Sequence, residues 1–515
     1  MTGADCLLQT LALNQIEVCF MNPGTSEMHF VSALDRVTAV RGVLCLYEGV
    51  CSGAADGYAR MKGLPAATLL HLGPGLGNAL SNFHNARKAR SPIVSIIGEH
   101  TRGHQKYDAP LSSDIAQFGR AVSDSIRTVE SPECLGLAVS EAIAAAIQPP
   151  GRIAMLIVPA DISWLETKTI GAVVHSPQRL MPSSESILDA ARLLRSSSNA
   201  GIILGGASMS RRALEAAGRL SAATGVRVFA DRSTPRLASG RGCFRVEKVP
   251  YFPEDASAAL GSLTHLILVE APTPVSFFGY PNTPSSPVPE TCAVSVLATP
   301  EQDGAAALEA VVEECGAQKA RPPAMDDEPL ALPLDSPLTA DAIGRTLAVL
   351  LPEWAIISDE TISSSAAILP YLMRAASHDQ LPLTGGAIGQ GLPVAVGAAI
   401  ACPERKVIAL EADGSAMYSL QALWTMARES LDIVTVILAN RRYRILDVEM
   451  RRTGASRIGA RANDMLDLGR PDLDFVSLAR GMGVPATRAA TTEEFTRQFR
   501  TAVSERGPRL IEAVL

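Results

Sequence analysis

The sequence lacks most of the features that would mark a secreted, membrane or nucleic-acid-binding protein. Aromatic residues make up only 4% of its 515 residues, too few for the stacking platforms that hold single-stranded nucleic acid. Basic charge is not in excess. The 46 Lys and Arg stand against 53 Asp and Glu, for a net charge of −7, and no basic stripe occurs. Nucleic acid and anionic membrane surfaces are therefore poor partners. The nine cysteines are scattered with no CxxC pair, which argues against both a zinc site and a disulfide framework. No apolar run reaches the ~18 residues that cross a bilayer. The start, MTGADCLLQTLALNQIEV, lacks a basic signal-peptide region and reads as an amphipathic helix. A cytoplasmic location is the default expectation. What is plentiful is small and apolar: 47% hydrophobic residues and 40 glycines, the composition of a globular enzyme with ample core.

Two stretches read as linkers, VVHSPQRLMPSSES at 173–186 and the Pro-rich, acidic AQKARPPAMDDEPLALPLDSPL at 317–338. They separate blocks at 1–172, 187–316 and 339–515. The first block alternates short apolar runs with helical patterns: VCFMNPG, GVLCLYE, AATLLHLGPG, PIVSIIGEH and RIAMLIVPAD. The third repeats this rhythm in WAIISDE, KVIALEADG, DIVTVILAN and RLIEAVL, and the middle block in AGIILGGAS, VRVFADR and THLILVEAP. Runs of this kind imply βαβ units and parallel sheets. The fold expected is α/β, three consecutive doubly wound parallel-sheet domains, with ligands beyond the carboxyl ends of the strands.

Two local features carry chemistry. In VLCLYEGVCSGAADGYAR a single carboxylate, Glu48, ends an apolar run that looks like a buried strand and precedes a run of small residues that looks like a tightly packed helix. The plainer reading is a helix-start glutamate close to the dipole; the sharper one is a buried acid with a dedicated partner. In EADGSAMYSLQALWTMARESLDIVTVILANRRY, Asn440 follows Asp413 by 27 residues, the length of one strand–helix–strand crossover, with the helix expected at about 416–429. If the two strands are neighbours, a carboxylate, an amide oxygen and a nearby backbone carbonyl form a hard oxygen edge suited to Mg²⁺. Gly414 and Ser415 then open a helix whose N–H groups can face a phosphate. Either feature alone could be only an N-cap or turn; their spacing favours the ligand reading. No GxxxxGK[ST] occurs, and GPGLGN at 73–78 puts Asn78 where a dinucleotide fingerprint needs glycine.

These residues, with LHLGPGLGNALSNFHNARKARSPIVSIIGEH and GGAIGQGLPVAVGAAIACPERKVIALEADGSAMYSLQALWTMA, resemble the thiamine diphosphate (ThDP)-dependent superfamily of acetolactate synthases and 2-oxo acid decarboxylases. The resemblance is close in the first and third blocks and holds only in outline in the middle one. It implies pyrimidine-binding, central and diphosphate-binding domains in that order. It also implies a cofactor held between the first domain of one subunit and the third of another, in a homodimer or homotetramer. By position it implies Asp413, Asn440 and the Arg442 carbonyl as Mg²⁺ ligands, and Gly414, Ser415 and Thr361 at the diphosphate. It gives Gly386 as a carbonyl acceptor for the aminopyrimidine and Ile388 as the apolar wedge under the bent cofactor, where the plainer reading is a core isoleucine. Glu48 becomes the glutamate that bonds the pyrimidine ring nitrogen. The substrate implied is a small 2-oxo acid, which loses CO₂ to an aldehyde or to carboligation.

Within the superfamily, MNPGTSEM and LLHLGPG resemble benzoylformate decarboxylase, with Thr25 at a substrate-contacting position and His71 at an active-site histidine; a core histidine is the alternative. His100 and His104 could line the same mouth. Where that enzyme has a second histidine, PTPVSFFGYPN offers only Phe277, Phe278 and Tyr280, which suggests a more apolar pocket. The overall look is that of acetolactate synthase large subunit-like proteins. True acetolactate synthases bind FAD through the middle domain; no clear flavin fingerprint is found here, so FAD is doubtful. Ala412 and Ala439 replace a usual glycine and asparagine, and neither change removes a ligand. Arg441, Arg442 and Arg444 form either an anion-attracting cluster or a solvated face. The alternatives kept are a ThDP-dependent C–C lyase of a 2-hydroxyacyl compound or diketone, and a non-catalytic ThDP-binding paralogue.

Overall fold

A computed structural model of the chain describes residues 1–322, 330–334, 336–455 and 459–515; the 317–338 linker falls partly outside them. The first segment contributes β1 (Val18–Asn22), β2 (Arg41–Leu44), β3 (Ala66–Leu70), β4 (Ile93–Glu99), β5 (Ser125–Thr128) and β6 (Ile153–Pro159). They form one parallel sheet in the order β2-β1-β3-β4-β6-β5. The middle segment contributes β7 (Ala200–Leu204), β8 (Arg227–Ala230), β9 (Leu237–Ser239), β10 (Glu247–Lys248), β11 (His265–Val269) and β12 (Ala293–Ala298). All but β9 form a second parallel sheet, β10-β8-β7-β11-β12. The third sheet is built from β13 (Ala355–Glu360), β14 (His378–Pro382), β15 (Val407–Ala412), β16 (Ile433–Ala439), β17 (Ala486–Ala489) and β18 (Arg509–Val514). β9 crosses from the middle segment and pairs antiparallel with β14 at its edge. The architecture is thus three consecutive doubly wound α/β sheets, with one strand exchanged.

The small residues after Glu48 have a packing reason. The helix Glu48–Lys62 lies against the helix Gly391–Ala401 of the third segment. A Cβ on Gly57 would stand 2.1 Å from the Val394 carbonyl oxygen, and one on Gly397 1.8 Å from that of Ala54. Only glycine lets the two backbones approach so closely. Val50, Ala54, Val394 and Ala398 share one apolar core, so the first and third segments are packed as a unit.

An ion pair stitches that unit. Arg60 Nε donates to Asp56 Oδ1 at 2.8 Å, and Arg60 also donates to Thr384 Oγ1 and the Pro382 carbonyl, each at 3.0 Å. Both charged side chains are almost fully enclosed. Asp56→Ala would strand a buried guanidinium and is expected to cost about 3–5 kcal/mol of stability. Urea unfolding at fixed protein concentration checks this, and a midpoint equal to that of the unmodified protein would contradict it.

Candidate active site

Four neighbouring strands of the first sheet deliver the predicted residues to one edge. β2, β1, β3 and β4 lie side by side, with Met21 level with Leu44 and Asn22 level with Leu70. Thr25 follows β1, Glu48 follows β2, His71 follows β3 and His100 follows β4. The expected buried strand up to Tyr47 is shorter: β2 stops at Leu44 and Leu46 is exposed. Glu48 is the first residue of its helix, as the plainer reading held, yet it is only 7% exposed. Its Oε2 accepts from Asn78 Nδ2 at 2.9 Å. Thr25 is exposed and opens the short 3-10 turn Thr25–Glu27.

His71 comes with a partner that sequence reading missed. Its Nδ1 stands 2.8 Å from Glu27 Oε2, which also accepts the Gly24 N–H at 2.7 Å. Glu27 is 2% exposed. Burial pushes its carboxyl above the usual range, against the pull of the Gly24 N–H and the imidazole. Two glycines make the space: a Cβ on Gly98 would stand 1.6 Å from Glu27 Oε1, and one on Gly24 2.4 Å from His71 Nδ1. His71 is therefore a partly exposed, oriented histidine just past the end of β3. The His100 and His104 rings lie 5.4 Å apart between centroids, tilted by 57°, in the loop after β4.

The third sheet carries the second group of predicted residues. β15 and β16 are paired, with Ala412 level with Leu438, so Asp413 and Asn440 leave adjacent strands almost together. Asp413 is 2% exposed and burial raises its carboxyl above the usual aspartate range. It accepts the N–H groups of Gly414 and Arg441, while Asn440 Oδ1 accepts the Arg442 N–H at 3.0 Å. The Arg442 carbonyl accepts from Arg444 N–H and retains a second lone pair. This is an oxygen-only donor set with one carboxylate, which suits Mg²⁺ sharing its shell with phosphate and water. The expected helix at 416–429 is broken into a turn Asp413–Ala416 and a helix Ala422–Arg428, because Met417–Gln421 turn before the helix resumes. Gly414 and Ser415 are buried in that first turn.

Thr361 is placed differently from expectation. Its N–H and its hydroxyl both donate to Asp359, at 3.0 and 2.7 Å. It therefore holds the turn after β13 and has no free donor for a phosphate. The arginines after Asn440 are also engaged: Arg441 pairs with Asp472, and Arg442 with Asp447 and Asn463.

The 385–391 loop completes the site. Gly386 has a φ of +80° and is exposed, and Ile388 is half-buried and not part of the apolar core. Asn85 grips the Ala387 N–H and carbonyl, and Asn82 bridges the carbonyls of Gly49 and Gly389 at 2.8 and 3.2 Å. Beneath the loop Glu360 accepts the N–H groups of Gly389 and Gly391, and burial pushes its carboxyl up to about 7. Glu411 beside it is raised further by the same cause. Phe277 covers the loop's outer side: a Cβ on Gly386 would stand 2.6 Å from its Cζ. Tyr280 is turned away and donates to Glu449 at 2.9 Å.

Comparison with known proteins shows the family to which these sheets belong. Residues 1–119 match the N-terminal, and residues 365–513 the C-terminal, TPP-binding domain of thiamine pyrophosphate enzymes. A Mycobacterium tuberculosis protein named "Putative acetolactate synthase large subunit IlvX" is 47% identical over 100% of this chain and 99% of its own. Benzoylformate decarboxylase of Pseudomonas aeruginosa is 30% identical over 98% of this chain and 97% of its own. Among solved structures, the ThDP-dependent 4-hydroxybenzoylformate decarboxylase of Rhodococcus jostii RHA1 superposes with a TM-score of 0.85, at 27% identity, over 99% of this chain and 98% of that one.

Proposed function

The chain belongs to the thiamine pyrophosphate enzyme family, as an enzyme of acetolactate synthase and benzoylformate decarboxylase type, and from that premise we propose that it decarboxylates a 2-oxo acid with ThDP and Mg²⁺. The product is released as an aldehyde or joined to a second carbonyl compound. The observation that carries this reading is the oxygen edge of Asp413 and Asn440 on paired strands, in a chain that also buries Glu48 at a sheet edge.

When bound, ThDP supplies a nucleophilic thiazolium carbon and an electron sink. In our reading Asp413, Asn440 and the Arg442 carbonyl hold Mg²⁺, and Gly414 and Ser415 hold the diphosphate. Thr361 shapes the neighbouring turn through Asp359. Gly386 and Ile388 orient the aminopyrimidine ring, and Glu48 exchanges a proton with its ring nitrogen. Thr25 and His71 face the substrate, with His71 moving protons. Phe277 offers the 2-oxo acid an apolar wall. The domains are 1–172 for the pyrimidine, 187–316 as the centre and 339–515 for the diphosphate. The protein is cytoplasmic and at least a homodimer, with each site shared between subunits. Release of CO₂ from pyruvate, 2-oxobutyrate and benzoylformate, with and without ThDP, tests the reading. Cleavage of a diketone without CO₂ would replace it with the lyase reading.

Two further results are expected. Glu27 must be ionised to fix the His71 Nδ1–H, and its carboxyl is raised by burial. Activity should therefore fall as pH drops through a value above the ordinary glutamate range. Glu27→Gln should lower kcat by about 10- to 100-fold and flatten that limb; an unchanged pH profile would remove Glu27 from the account. Mixing Glu48→Gln and Asp413→Asn chains should regenerate activity in about a quarter of the sites through random pairing. No recovery from co-assembled chains would place both residues in a site within one chain.

A further inference from the structure

We propose that Glu270 is a built-in anion that closes the nucleotide crevice of the middle domain, so that this chain works without FAD or another nucleotide there. In the sheet β10-β8-β7-β11-β12 the strand order reverses between β7 and β11. That is the switch point at which open α/β sheets bind their ligands. The shell of a nucleotide cradle is present: β7, the turn Gly205–Gly206, the helix Arg211–Thr224, and β8 followed by Asp231. It opens onto a cavity of about 1630 Å³ lined by Arg90, Arg179, Asp231, Arg232 and Glu270.

The phosphate seat of that cradle is taken. Glu270, the first residue after β11, is 3% exposed. Its Oε2 accepts from Ala207 N–H at 3.0 Å and Arg179 Nη1 at 2.8 Å. Its Oε1 accepts from Ser208 Oγ at 2.8 Å and from Gly304 N–H, at the start of the helix Gly304–Glu314, at 3.2 Å. These are the donors a diphosphate needs: N–H groups at turn and helix starts, a hydroxyl and a guanidinium. The glycines make room for the carboxylate itself. A Cβ on Gly206 would stand 2.7 Å from Glu270 Oε2, and one on Gly304 2.8 Å from Oε1. Glu270 has a φ of +52°, a left-handed backbone that a residue with a side chain keeps only when its surroundings hold it. Asp231, where a ribose contact would be sought, is turned back to the Ser233 N–H at 3.1 Å. A diphosphate entering here would meet a carboxylate on its own donors. The inference does not depend on the ThDP reading of the other cleft.

Calorimetric titration of the full-length protein with ADP and with FAD tests it. The unmodified protein should show no saturable binding up to millimolar ligand. Glu270→Gly suits the left-handed backbone and frees all four donors, so it should bind ADP about tenfold more tightly or better. Micromolar binding of ADP or FAD by the unmodified protein would overturn the proposal, and that arm decides even if the variant does not fold. A folded Glu270→Gly that still takes no ADP would overturn it as well.

Discussion

Glu48→Gln is expected to lower kcat/KM by about 10²- to 10⁴-fold, the range set by losing a positioned acid–base group, with ThDP affinity and stability nearly unchanged. The two readings of this residue differ in magnitude. As a helix-start glutamate it interacts with the dipole for about 0.3–1 kcal/mol, and the amide would leave activity intact. As the proton partner of a cofactor nitrogen it cannot be replaced by a group that does not ionise. The geometry separates it from an ordinary surface cap: the carboxylate is buried and Asn78 fixes one oxygen. Steady-state kinetics with a turned-over 2-oxo acid and a thermal melt make the comparison. Full activity in the variant would return Glu48 to the helix-start reading.

Asp413→Asn is expected to weaken Mg²⁺-dependent ThDP binding by more than about 100-fold, since loss of an outer-shell partner alone commonly costs 10- to 100-fold. The amide keeps the shape of the side chain but loses the charge that offsets Mg²⁺. If Asp413 were only a turn residue, asparagine would serve that turn about as well, and the change would leave both stability and binding nearly untouched. Calorimetry with ThDP at fixed Mg²⁺ distinguishes the two. Equal affinities would remove the metal from this edge.

The parts legible in the sequence are those set by short-range rhythm. The spacing of Asp413 and Asn440 announced one crossover, and the pairing of β15 with β16, with Ala412 level with Leu438, brings them almost level. The small residues after Glu48 announced close helix packing, and Gly57 and Gly397 supply it. Contacts between loops of non-adjacent segments were not legible. Glu27 and His71 meet only because β1 and β3 are neighbours in the sheet, an order that no local pattern encodes. The run AATLLHLGPG reads as strand-like, yet β3 stops at Leu70, and Gly73, Pro74 and Gly75 lie in the first turn of the helix Leu72–Ala89, where proline's missing N–H costs no hydrogen bond. Thr361 illustrates a further limit: its position matched a phosphate role, while its donors turned to Asp359, two residues away. The transfer of β9 to the third sheet depends on long-range pairing, and three residues carry too little pattern to reveal it.

The central claim is that Glu48 drives proton exchange on a cofactor held at the Asp413 edge. Deuterium exchange at the thiazolium carbon of bound ThDP, followed by NMR in quenched flow without substrate, tests it most directly and needs no knowledge of the 2-oxo acid. Exchange on the unmodified protein should be far faster than on free ThDP, and Glu48→Gln should return it close to the free rate. Exchange that is no faster on the protein, or equally fast in the variant, would contradict the account.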